Sequence, residues 1–392
     1  MPNNSPPKTA AWPAIFAIAV GVAALITAEL LPVSLLTPMA QGLSISEGMA
    51  GQSVSVTAFV AIFASLFVTT ATRGIDRRFV VMGFSVLLIA SSLIVAVAPN
   101  YAWMLVGRVL LGLALGGFWA MAVSLAMRLV PASDVPKALS IVFGGVSVAM
   151  VASAPLGSFL GGLIGWRGVF IVAAAFGVIC LIWQAITLPK MPPRGSGNFA
   201  AVVALLGRTG VCLPMLAIFA VFAGQFSVLT YLRPYFERVS GFGVEGVSFV
   251  LLIFGVANFV GTSLSSIALR HSLRITLAFA PLVLAGCAIG LATFGTIPFA
   301  VVALIAIYGF GFGFVPVAWS TWVTRELGDD AESAGGLQVA VIQLANTTGA
   351  GLGGYALDLG GPLAPILFGA ALLALTSALV IAAVPRPISR VA

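Results

Sequence analysis

The sequence predicts an all-α membrane protein: twelve transmembrane helices in two pseudo-symmetric six-helix bundles. Three observations carry this expectation. Of 392 residues, 60% are hydrophobic and only 7% are charged, against about 25% charged in soluble domains. A soluble fold of this composition lacks the polar groups to cover its surface, and the hydrophobicity equally excludes a disordered chain. Finally, the apolar residues fall into twelve runs of bilayer-crossing length, about 20 residues each, six on either side of a break rich in proline and glycine. Main-chain groups in lipid must be satisfied within their own segment, so such runs are helices. They lack the roughly ten-residue alternating segments of a membrane barrel.

In chain order, the first six runs are 13–38, 49–71, 79–98, 102–127, 138–163 and 168–188. The first contains Glu29, is interrupted by Pro32 and Pro38, and is too long for a signal peptide. The second carries Gln52, Ser53, Ser55 and Thr57, and the fourth carries Arg108, Gly112, Gly116, Gly117, Phe118 and Trp119 before ending at Arg128. The fifth holds Ala154-Pro155-Leu156-Gly157 and Gly161. The break, from Pro189 to Asn198, has the composition of a linker. The remaining runs are 210–232, 247–268, 275–294, 299–323, 335–357 and 364–384. Gln225, Thr230 and Tyr231 lie on the seventh run, and Asn258 on the eighth. The tenth carries Gly309, Gly311, Gly313, Trp319 and Trp322 and ends at Arg325; the eleventh carries Gln338, Gln343, Asn346 and a glycine cluster. Runs four and ten match in their glycines and their terminal arginine, as do the glycine-rich runs that follow them. Parallel halves of this kind form a transporter architecture that rocks around a midplane site. The expected organisation is a bundle at 1–188, a cytoplasmic linker at 189–209 and a bundle at 210–392.

The net charge of +7 is read as topology rather than as a nucleic-acid footprint. With the N-terminus inside, the cytoplasmic segments hold Lys8, Arg73, Arg77, Arg78, Arg128, Lys137, Lys190, Arg194, Arg208, Arg270, Arg274, Arg325, Arg386 and Arg390. The outer loops hold only Arg167, Arg233 and Arg238. That bias places both termini in the cytoplasm.

Glu29 and Arg108 are the charges clearly within spans. By helical rise they lie about 14 Å and about 10 Å below the outer ends of their helices. An ionised carboxylate at such depth is costly unless it is protonated, paired or hydrated. Two roles fit Glu29: a proton carrier, or a permanently paired or protonated group that locks two helices. Arg108 does not deprotonate, so it either tunes Glu29 electrostatically or anchors a hydrogen-bond network. Amides on several spans, with Phe118, Trp119 and Trp319, predict a neutral aromatic lining suited to a planar or polyhydroxylated solute; some of these amides will only bridge helices. Gln338 and Asn346 are eight apart with Gln343 off that line, so the three need not share a face.

Other chemistries find no footing. Gly349, Gly351 and Gly354 spell a GxGxxG inside an apolar helix with no preceding strand, which is not a dinucleotide site. Cys180, Cys212 and Cys287 read as buried thiols with neither disulfide framework nor zinc spacing, and His271 reads as a loop residue. No nucleophile–base pair is apparent for an enzyme, and no cofactor or metal is expected. A membrane sensor would be expected to carry a soluble signalling tail, whereas the chain ends about eight residues after the last run.

The motifs resemble the major facilitator superfamily, in its twelve-span drug:proton antiporter branch. Arg108-x3-Gly112-x3-Gly116 is similar to the fourth-helix motif associated with proton transfer. Pro32-Val33 with Pro38 is similar to the first-helix motif of twelve-span exporters. Ala154-Pro155-Leu156-Gly157 resembles the fifth-helix antiporter motif, with alanine before the proline. The loop between the second and third helices keeps only Asp76-Arg77-Arg78 of the family's gating pattern, with Thr72 where that pattern has glycine. The longer strings ELLPVSLLTPMAQ, GLALGGFWAMAVSLAMRLVP, PVAWSTWVTREL and QVAVIQLANTTGAGLGGYALD resemble bacterial purine nucleoside exporters. The resemblance implies an inner-membrane exporter, expected to be a monomer, that moves inosine- and guanosine-type nucleosides outward against protons. Glu29 and Arg108 would couple protons, and Asp76, Arg77, Arg78, Pro155 and Gly157 would take part in gating. Phe118, Trp119 and Trp319 would stack the base, while Gln52, Gln225, Gln343 and Asn346 would bond base or ribose. Export of sugars or drugs by the same superfamily is the alternative.

Overall fold

Long apolar stretches with few internal breakers give long helices, and the structure, a computed structural model, is built of them. It describes residues 10–131, 134–192, 210–327 and 331–383. Most of the expected linker, 193–209, and both chain ends with their basic residues lie outside the described residues. The helices are α1 (Trp12–Leu43), α2 (Glu47–Ala71), α3 (Arg77–Ala96), α4 (Tyr101–Leu129), α5 (Val135–Thr187), α6 (Cys212–Thr230), α7 (Leu232–Arg238), α8 (Val244–His271), α9 (Leu273–Phe294), α10 (Pro298–Glu326), α11 (Ala331–Gly360) and α12 (Leu363–Ala383). No strand occurs among the described residues.

Ten of the helices are long and apolar enough to cross a membrane. One of them, Lys137–Thr187, runs 51 residues, about 77 Å if straight, more than twice the hydrocarbon core. Gly165 folds it: with φ 72° and ψ 162° it adopts a conformation open to glycine, so α5 contains the fifth and sixth spans. Gly361, with φ 73°, makes the matching turn between α11 and α12. Helix α11 is the remaining span; Gln338, Gln343, Asn346, Thr347, Thr348 and Asp358 make it the most polar, and it does not number among the ten. Many large apolar side chains are exposed, Phe79, Leu163, Ile186, Ile275 and Phe299 among them, as a lipid solvent allows.

Glycines set how closely these helices approach. A Cβ at Gly112 would stand 2.5 Å from the Thr57 carbonyl oxygen, and one at Gly116 would stand 2.2 Å from that of Ala61. In the second half a Cβ at Gly309 would meet the Phe254 oxygen at 2.6 Å, and one at Gly313 the Asn258 oxygen at 2.4 Å. The pairs repeat at a constant interval, 309 − 112 = 254 − 57 = 313 − 116 = 258 − 61 = 197. A second interval links α1/α5 with α6/α11: Gly145 packs on the Ala19 oxygen and Gly349 on the Ala223 oxygen, so 349 − 145 = 223 − 19 = 204. The internal repeat is therefore one of packing register as well as composition. It departs at one place. Helix α1 is continuous for 32 residues, whereas its counterpart breaks at Tyr231 into α6 and α7.

The chain divides into two compact units, Met1–Ile45 with Val56–Gly197, and Ser46–Ser55 with Asn198–Ala392. The opening turns of α2 thus count with the second unit. There the Ser46 hydroxyl donates to Asp358 at 2.7 Å, as does the Gly48 amide at 3.2 Å. Arg238 pairs with Glu47 at 2.5 Å.

Because main-chain atoms form the walls around Gly116, Gly116→Val is expected to destabilise the protein by about 1–3 kcal/mol or more. Gly83 has no atom within 4 Å of a built Cβ, so Gly83→Val is expected to stay within about 1 kcal/mol. Thermal unfolding in detergent checks both; equal losses would contradict the packing assignment.

Candidate transport site

The first unit's polar centre is built by a proline. Proline has no N–H and so leaves the carbonyl four residues earlier without its helical donor. Pro32 does this to Ala28, deep within α1. Arg108, fully buried on α4, supplies what is missing: its Nη1 donates to the Ala28 oxygen at 2.9 Å and its Nη2 to the Glu29 oxygen at 3.2 Å. The fork of a guanidinium suits two neighbouring carbonyls, which an ammonium would not bridge in the same way. The Arg108 carbonyl in turn accepts from Thr57 Oγ1 at 3.4 Å. Glu29 is buried on the same turn of α1, and the two charges lie within electrostatic reach of each other. Sequence reasoning set Glu29 and Arg108 at compatible depths, with Arg108 tuning Glu29 or anchoring a hydrogen-bond network, but did not name the main-chain acceptors; the available signal was the four-residue step from Ala28 to Pro32.

Two of the expected aromatics are in this unit. Phe118 is buried and meets Trp119 edge-on at 5.7 Å. Trp119 is half-buried and stacks on Phe143 of α5 at 5.9 Å and 26°. Pro155 is buried in α5, and Gly157 faces Ser34 of α1, where a Cβ would lie 2.4 Å from the hydroxyl. The Asp76-Arg77-Arg78 loop is stitched to the end of the sixth span. Asp76 caps α3 by accepting from the Arg78 amide at 2.9 Å, and it also accepts from the Met191 amide at 2.9 Å. Arg78 donates to the Ala185 oxygen at 2.6 Å, Arg77 donates to Thr72 Oγ1 at 2.6 Å, and Arg128 donates to the Pro192 oxygen.

The second unit carries its charges as pairs, Arg233 with Glu237 at 2.8 Å on α7 and Arg238 with Glu47, and its other buried polar side chains include amides. Gln225 is fully buried on α6, and neither its amide oxygen nor its nitrogen has a hydrogen-bond partner among the described residues. On α11, Asn346 Nδ2 donates to Gln343 Oε1 at 3.2 Å. That leaves Gln343 Nε2 and Asn346 Oδ1 buried and unpartnered among the described residues. Gln343 and Asn346 therefore do share a face. Trp319 is buried on α10 and meets Trp322 edge-on at 5.9 Å. Gln52 differs from the other amides in being exposed on α2. Cys180 and Cys287 are buried, but Cys212 is exposed, because it opens α6. No cluster of three or more potential metal ligands occurs among the described residues.

If Arg108 mends the break made by Pro32, the two substitutions are coupled. Arg108→Met is expected to cost about 1–3 kcal/mol through the stranded carbonyls. In a Pro32→Ala background the restored N–H supplies Ala28, and the cost is expected to shrink by about 1 kcal/mol. A double-mutant cycle on thermal stability in detergent measures the coupling, and strict additivity would contradict it.

Comparison with known proteins fits this architecture. Residues 11–345 match the Major Facilitator Superfamily. The purine ribonucleoside efflux pump NepI of Salmonella typhimurium is 56% identical over 375 residues, covering 96% of this chain and 94% of that protein. The NepI of Salmonella typhi matches to the same extent. Among solved structures, a bacterial homolog to the human lysosomal transporter Spinster, in an inward-facing and unoccupied conformation, aligns with a TM-score of 0.70 at 16% identity. That alignment covers 97% of this chain and 100% of the other and speaks for the fold. With twelve spans in repeated halves and a family match over most of its length, the chain belongs to the major facilitator superfamily.

Proposed function

We propose that this protein exports purine ribonucleosides of the inosine and guanosine type across the bacterial inner membrane, exchanging them for protons by alternating access. The observation that carries the reading is the near full-length similarity to relatives named as purine ribonucleoside efflux pumps. The chemistry of the candidate residues supports it. Buried amides and aromatic rings suit an uncharged, planar, hydrogen-bonding solute, since rings stack on bases and amides both donate and accept. Glu29 is the proposed proton carrier, with Arg108 as its proposed electrostatic partner. Phe118, Trp119 and Trp319 would stack the base; Gln52, Gln225, Gln343 and Asn346 would bond base or ribose. Asp76, Arg77, Arg78, Pro155 and Gly157 would govern the conformational change. The bundles 1–188 and 210–392, joined through 189–209, would act together as a monomer with both termini in the cytoplasm.

In inside-out vesicles with an acidic lumen, the wild type is expected to concentrate labelled inosine, and Glu29→Gln is expected to reduce uphill accumulation to the background of empty vesicles. A Glu29→Gln protein that still accumulates inosine against its gradient would refute the proton assignment. Orientation is checked in a background lacking the native cysteines. Gly74 and Gly243 are both exposed, with nothing within 4 Å of a built Cβ. An impermeant maleimide is expected to label Gly243→Cys on intact cells and Gly74→Cys only after permeabilisation; the reverse pattern would invert the topology.

A further inference from the structure

The amide pair on α11 carries an unusual residue of bonding capacity. Gln343 and Asn346 are three apart, hence on one face of the helix, and one hydrogen bond joins them. That bond consumes one amide oxygen and one amide N–H. An oxygen and a nitrogen are left over, both buried and without a partner among the described residues. Reversing the direction of the bond exchanges which residue carries which, but the remainder is still one acceptor beside one donor. Two carboxylates would offer acceptors alone, and two lysines donors alone.

The neighbouring helix supplies no partner at this level. Gly349 packs on Ala223, and Gly353 approaches Ser227, so the register of α11 on α6 is 349 − 223 = 353 − 227 = 126. Carried back along both helices, it sets positions 343 and 346 level with Ala217 and Ala220, two small side chains with no polar atom. The internal repeat makes the same point. At the interval of 204, the first-half counterparts of Gln343 and Asn346 are Leu139 and Val142. The helix packing recurs in both halves, but the amides occur in one, so the packing does not require them. Buried donors and acceptors left unmet are costly, and such a pair is retained where something else completes it.

We infer that Gln343 and Asn346 act together as the reader of the base. The amide oxygen accepts the N1–H of an oxopurine, and the amide nitrogen donates to its O6. The inference rests on the nucleoside reading above and adds the edge that is recognised. The lactam edge of hypoxanthine or guanine presents a donor next to an acceptor, the complement of what the pair offers. Purine riboside, with hydrogen at C6 and no proton on N1, presents only the N1 acceptor and would leave the amide oxygen unpaired.

The test uses the full-length protein in liposomes and measures displacement of labelled inosine by unlabelled inosine and by purine riboside. The wild type is expected to favour inosine by about tenfold or more. In the Gln343→Leu, Asn346→Val double variant, the preference is expected to collapse toward unity, chiefly because inosine binds less well. A wild type that does not distinguish the two ligands overturns the inference without recourse to any variant. A variant that weakens both ligands equally also overturns it, since that is how a purely structural pair would behave. Should the double variant fail to fold, 1-methylinosine on the wild type keeps the question open to decision: it retains O6 but lacks the N1 proton, and competition equal to that of inosine overturns the inference. Absence of any inosine displacement in the wild type is a different result, and it overturns the nucleoside reading on which the inference stands.

Discussion

A main-chain carbonyl in an apolar medium needs a donor, and the first unit is organised around one carbonyl that the helix itself does not serve. Pro32 withdraws the N–H that Ala28 would have used, and Arg108 reaches from α4 to replace it. The same fork engages the Glu29 oxygen. One side chain thus repairs the helix, ties α1 to α4 and holds a permanent positive charge beside the buried carboxylate. Desolvating a guanidinium is expensive, which makes the two carbonyl acceptors as important to Arg108 as Arg108 is to them.

Around this centre the scaffold is repetitive. The constant intervals of 197 and 204 between glycine contacts show that the two halves bring corresponding helices together at corresponding residues. What differs is the polar decoration. Ile305 stands where the repeat would place a second Arg108, and Leu139 and Val142 stand opposite Gln343 and Asn346. Glu29 and Arg108 lie within the spans of the first half, and Gln225, Gln343 and Asn346 within those of the second. A packing pattern shared by both halves leaves their interior residues free to diverge in chemistry, because small-residue contacts fix the helix spacing.

Much of this was legible in the chain. Hydropathy placed the spans, because lipid imposes a length and forbids unpaired backbone. Glycine spacing exposed the repeat, and depth within the runs singled out Glu29 and Arg108. The register between helices was not legible, since a hydropathy run says nothing of which residue faces which. That is why the carbonyl partners of Arg108, the stacking of Trp119 on Phe143 and the bond between Gln343 and Asn346 emerged only from the structure. The break at Tyr231 falls at the end of the seventh apolar run, where Pro234 in the opening turn of α7 removes the N–H that the Thr230 carbonyl would have used. The exposure of Gln52 and Cys212 depends on position along and around a helix, to which composition is blind.

The claim on which the account stands is that nucleoside and proton move in exchange. Reconstituted protein with a pH-sensitive dye trapped in the lumen tests it directly, with an inosine gradient as the only driving force and the membrane potential clamped. Inosine leaving the lumen is expected to carry protons in and acidify it, in wild type and not in Glu29→Gln. Inosine efflux with no change in luminal pH would contradict proton exchange and reduce the protein to a passive conductor of nucleosides.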